Sequence, residues 1–108
     1  MKDKAELSLM LDYYGAFLTG KQAEILMMSA DEDMSLAEIA ETFGVSRQSV
    51  RETIVKASEK LAGFEEKLGL IERDRRLSAL LSRLDEAVEA DDRDGIREAS
   101  KEIRTVLK

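Results

Sequence analysis

The polar stretch Ser46-Arg47-Gln48-Ser49, followed by Arg51 and then Lys56, has the side chains to recognise a nucleic acid. Arginine can donate two hydrogen bonds to a guanine edge, glutamine can pair bidentately with adenine, and serine hydroxyls can bind phosphate. Such groups act together only when one rigid element holds them against a groove. The second helix of a helix-turn-helix does this. Residues 35–56 carry the pattern of that motif: a short helix, a turn pinned by glycine, and a second helix that opens on Ser-Arg-Gln.

Composition closes off most other chemistry. The 108 residues contain no histidine and no cysteine, which removes zinc fingers, disulfides, thiol nucleophiles and imidazole bases together. Acid–base work would fall to carboxylates and lysines, and none stands out from a background in which 37% of residues are charged. No glycine-rich loop is present to cradle a phosphate. The run Asp31-Glu32-Asp33 lacks the alternating spacing and central glycine of a calcium loop, so it reads as a solvated loop. The expected class is a binding protein and not an enzyme, with no cofactor and no metal.

The scaffold that positions these groups is expected to be all-α. Proline is absent and glycine occurs only six times, while helix formers abound. A first helix over 5–18 carries Leu7, Met10, Leu11, Tyr14, Phe17 and Leu18 at helical spacing. Tyr13, Tyr14 and Phe17 are read as packing residues rather than as a platform for bases, and the five scattered methionines as core filling. Thr19 and Gln22 form a capping box for a second helix over 20–30, which buries Ala23, Leu26 and Met27. Ser35 and Glu38 form another, ahead of an inner face of Leu36, Ile39, Ala40 and Phe43. Gly44 stands where the chain needs a left-handed residue, Val45 plugs the turn, and Ser46 caps the fourth helix.

Beyond the motif, Val50, Ile54, Ala57, Leu61, Phe64, Leu68 and Ile71 recur at alternating spacings of four and three, a heptad-like seam. Gly63 and Gly69 interrupt it and allow a kink or close helix approach. The phase breaks across 72–76 and resumes at Leu77, Leu81, Leu84 and Val88. Asp92 or Asp94 caps a last helix over about 95–107. Residues 1–62 are expected to form the helix-turn-helix domain and 63–108 a helical extension. Leu61, Phe64, Leu68 and Ile71 form a packing seam, either against the Leu77–Val88 segment or in a homodimer. The homodimer is preferred, because a long bare seam would leave an apolar patch in water.

Charge is unevenly spread. The net charge is −6, and residues 1–66 carry all of it, with seven lysines and arginines against thirteen acids. That opposes approach to a polyanion. Within residues 44–60, however, Arg47, Arg51, Lys56 and Lys60 outnumber Glu52 and Glu59. No apolar run is long enough to span a bilayer, and the start of the chain does not resemble a signal peptide, so a cytoplasmic protein without membrane insertion is expected.

The stretches Leu18-Thr19-Gly20-Lys21-Gln22, Ser35-Leu36-Ala37-Glu38-Ile39-Ala40 and Val45-Ser46-Arg47-Gln48-Ser49-Val50-Arg51 resemble region 4 of bacterial sigma factors. That resemblance implies a helix-turn-helix that reads duplex DNA through Arg47, Gln48 and Arg51. Tyr13-Tyr14, the Glu-Asp loop and Phe64-Glu65-Glu66-Lys67-Leu68-Gly69-Leu70 make residues 5–75 similar to the YlxM-like family of small bacterial proteins. What this implies is a regulatory helix-turn-helix protein encoded beside the signal recognition particle GTPases. The alternative it implies is an adaptor that binds those GTPases or their RNA without touching DNA. No catalytic residue follows from either.

Overall fold

The computed structural model describes residues 3–108, and its regular structure is helical throughout those residues. The helices are α1 (Lys4–Tyr14), α2 (Gly20–Ala30), α3 (Leu36–Phe43), α4 (Arg47–Leu68), α5 (Leu70–Glu89) and α6 (Arg93–Leu107), with a 3-10 turn at Gly15–Phe17. They form two compact units, one reaching to Leu68 and the other running from Gly69 to Lys108. The division thus falls after Leu68, while sequence reasoning divides the chain after residue 62.

Helix starts follow the side chains that can satisfy their free N–H groups. Asp3, Thr19, Ser35, Ser46 and Asp92 each accept a backbone N–H three residues on. At Thr19 and Ser35 the bond is reciprocated by Gln22 and Glu38, completing both capping boxes. Asp92, not Asp94, caps the last helix, which begins at Arg93.

In the first unit, α4 is the wall against which α1, α2 and α3 all pack. It contributes Val50, Ile54, Ala57 and Leu61 to the core, opposite Leu7, Met10 and Tyr14 of α1, Ile25 and Leu26 of α2, and Ile39 and Ala40 of α3. The expected inner face of α2 is rotated: Ile25 is buried, whereas Met27 is 47% exposed. The first helix ends at Tyr14, and the tighter 3-10 turn swings Phe17 out of the core to 60% exposure. Its ring instead packs on Phe64, centroids 5.1 Å apart. Tyr14 is fully buried, and its hydroxyl donates to Glu65 at 2.5 Å.

The seam expected over 50–71 is not one continuous helix. Gly69 adopts φ 61° and ψ 29°, a left-handed conformation open to glycine at little cost, and ends α4 there. The seam's first four residues serve the core of the first unit. Phe64 is partly covered, Leu68 is 54% exposed, and Ile71 belongs to α5. Conversely, α5 runs unbroken through 72–76, where the apolar phase lapses; helix formers carry it across. In the second unit α5 and α6 pack as a hairpin that buries Leu80, Ala87 and Ala99.

Gly63, unlike Gly69, lies inside a helix, and a Cβ built there would meet nothing within 4 Å. Gly63→Ala should therefore stabilise the chain by about 1 kcal/mol through helix propensity, read as a higher urea midpoint at unchanged slope.

Candidate nucleic-acid interface

The geometry of the motif begins at Ser35. Its hydroxyl accepts the Glu38 N–H at 3.1 Å, and its own N–H donates to the Glu38 carboxylate at 3.0 Å. Hydrogen bonding from Ser35 to the Glu38 carboxyl, from its backbone N–H first and its side chain second, holds that carboxyl below its ordinary value. A carboxyl lowered in the folded state contributes stability above its unfolded pKa and loses it as pH falls through the folded value. The start of α3 should thus be insensitive to pH near neutrality and fray in acid. Glu38→Gln should flatten that acid limb, as followed by amide hydrogen exchange of residues 36–39.

At the other end of α3, Gly44 takes φ 65° and ψ 36°. Its N–H bonds to the Glu41 carbonyl at 3.3 Å, and the Val45 N–H bonds to that of Ala40 at 3.0 Å. This paired closure ends a helix and redirects the chain at once. Ser46 then starts α4 by accepting the Ser49 N–H at 3.0 Å. Ala40 and Val50, both buried, lie on the inner sides of the two helices so joined.

This frame leaves the outer side of α4 in water. With 3.6 residues per turn, Arg47, Arg51 and Val55 form one row and Gln48, Glu52 and Lys56 the next. All six are exposed. The structure therefore brings Arg47, Gln48, Arg51 and Lys56 onto one face, with Ser46 at its head. Ser49 is half-buried on the flank, and its backbone is engaged by the cap. Arg51 also borders an apolar cleft of about 280 Å³ between Leu7, Met34, Leu36, Ile54 and Val55. Neither Arg47 nor Arg51 forms an ion pair among the described residues.

Two features of this face were not singled out from sequence. Glu52 stands in its middle and accepts a hydrogen bond from the Gln48 amide at 3.4 Å, so Gln48 is partly occupied. The signal was the i, i+4 spacing of the two residues. Val55, 46% exposed, adds an apolar patch between the rows. Further from the motif, the four residues expected to form one packing seam have different surroundings. Leu61 is buried in the first unit, Phe64 stacks on Phe17, Leu68 is exposed at the end of α4, and Ile71 lies in the second unit.

A capped helix, a left-handed glycine turn and a second helix with a free polar face define a helix-turn-helix protein. The chain belongs to the UPF0122 family, described as "Putative helix-turn-helix protein, YlxM / p13 like", whose model matches residues 1–103. It is similar to a UPF0122 protein of Symbiobacterium thermophilum, 39% identical over 96% of this chain and 97% of that one. It is also similar to UPF0122 proteins of Thermoanaerobacter sp., 42% identical over 77% of this chain and 71% of the other. A third, from Clostridium perfringens, is 42% identical over 70% of this chain and 69% of its own length. Among the described residues, no helix is long and apolar enough to cross a membrane.

Proposed function

We propose that this protein binds duplex DNA through the first turns of α4 and acts as a regulator. The observation that carries this reading is the exposed pair Arg47 and Arg51, in no ion pair among the described residues, at the head of a helix whose direction is fixed by the Gly44 turn. Arginines so placed supply phosphate neutralisation and base-edge contacts, with Gln48 and Lys56 beside them. Ser46 and Ser49 serve as phosphate partners at the helix N-terminus, where the helix dipole favours an anion. We further propose that the protein works in the cytoplasm, as two copies, and in the signal recognition particle pathway that its family resemblance implies.

The test is binding to mixed-sequence duplex DNA over a series of salt concentrations. The affinity should fall with a log–log slope of about −0.9 per phosphate neutralised. A signal that ignores salt, or no binding at all, would reject DNA as the ligand. One observation favours a second reading: the first 66 residues are strongly acidic, and Glu52 lies within the reading face. On that reading the protein is an adaptor for the targeting GTPases or their RNA, and adding it should change the GTPase rate without any duplex affinity.

A further inference from the structure

We infer that a second copy of this chain docks onto the α5–α6 hairpin and closes a four-helix bundle; this deepens the two-copy reading above by naming its surface. Helix α5 carries more apolar surface than α6 covers. Leu80 and Ala87 are buried, but Leu77, Leu81, Leu84 and Val88, at spacings of four, three and four, form a second stripe beside them. Leu81 is 51% and Val88 56% exposed, and Leu107 of α6 is 60% exposed. A leucine stripe at coiled-coil spacing calls for another helix.

The charges that flank this stripe favour a copy of the same hairpin. The Arg83–Glu102 ion pair, 2.9 Å, bridges one face of the hairpin. Helical periodicity places the Leu77–Val88 stripe on the opposite face, and puts Arg97 and Lys101, one turn apart, on the outer edge of α6, where they border one surface hollow with Ile96 and Ser100. Beyond the stripe, on the outer edge of α5, stand Asp85 and Glu89, one turn apart. One edge of the face is thus acidic and the other basic. None of these four groups has an ion-pair partner among the described residues.

Their heights also match. Arg83 lies opposite Glu102, and Ala87 lies against Gly95, where a built Cβ would come within 3.2 Å. In this antiparallel register, Asp85 and Glu89 stand level with the stretch of α6 that carries Arg97. A two-fold axis running along the helices through the middle of the face exchanges its edges. Each acidic edge then meets the partner's basic edge, Asp85 and Glu89 facing Arg97 and Lys101. The same operation lays α5 over the partner's α6, so that every neighbouring pair is antiparallel, as in an up-down bundle. Isologous contact between opposite charges fixes both register and partner.

The experiment is sedimentation equilibrium of the full chain over about 10 to 200 µM, a range in which mass action reveals a moderate dimer. The expected mass is twice the 12.1 kDa of one chain. Arg97→Glu with Lys101→Glu should raise the dimer dissociation constant at least about tenfold. Adding Asp85→Lys and Glu89→Arg to that variant should restore the dimer. All four side chains are exposed, so helicity by circular dichroism should stay constant in every variant. A wild-type chain that is monomeric throughout would overturn both this surface and the two-copy reading. A wild-type dimer unmoved by charge reversal would overturn this surface alone, and so leave another face or another partner for the stripe. Loss of the dimer without rescue by the charge swap would overturn the paired-edge geometry. DNA affinity, measured separately, bears on none of these outcomes.

Discussion

Alanine at both Arg47 and Arg51 should lower the affinity for duplex DNA by about two to four orders of magnitude at low salt, since each lost arginine contact removes about 1–3 kcal/mol. Two routes lead to the loss, and salt separates them. Contacts to phosphate weaken binding to every sequence and make the salt slope shallower by about one unit per residue, whereas contacts to bases relax discrimination at single positions. Both side chains are exposed and free of ion pairs among the described residues, so circular dichroism of the variant should match that of the wild type. Lys56→Ala, one row away, should act only through phosphate and cost less. The reading fails if the double variant binds as the wild type does. In that case the face with Glu52 at its centre serves something other than a duplex.

Leu61→Ala should destabilise the first unit by about 2–5 kcal/mol, the usual range for a buried leucine that leaves a cavity. Leu61 has no exposed surface and lies on α4 where that helix packs on α1 and α2. A whole domain is stable by only about 5–15 kcal/mol, so urea unfolding should show a large drop in midpoint. Leu68→Ala is the contrasting case. Leu68 sits one heptad further along the same sequence seam but is 54% exposed, and its loss should change stability by about 0.5 kcal/mol or less. Equal effects at the two positions would contradict the division of the seam between core and surface.

That contrast shows where sequence reasoning reaches and where it stops. Ser35, Glu38, Gly44 and Ser46 could be placed from sequence because each acts on a backbone group three or four residues away. The same holds for Thr19 with Gln22. Their partners are close along the chain, and residue type alone declares them. The seam stays ambiguous in the sequence because its spacing is equally good for one long helix and for two helices joined at Gly69. Choosing between them needs the φ of a single glycine, which spacing does not encode. Phe17 fits the apolar periodicity of α1, yet the helix tightens after Tyr14 and turns it outward onto Phe64. Glu52 was counted among local charges, but its place at the centre of the reading face becomes visible only once the core side of α4 is known.

Tyr14 and Glu65, joined by a hydrogen bond, are separated by 51 positions in the chain. The α5–α6 hairpin, by contrast, joins neighbours in sequence. Closing a short loop costs less chain entropy than closing a long one, and local topologies fold faster. The hairpin is therefore expected to form faster than the first unit. The helix-turn-helix unit is completed later, because α1, α2 and α3, although α1 already packs on α2, all need α4 and its Val50, Ile54, Ala57 and Leu61 to close their core. During synthesis, α1 to α3 would leave the ribosome with the apolar surface that α4 covers still bare. They would find their core only when residues near Glu65 had followed, so the recognition helix is also the element whose arrival completes the domain.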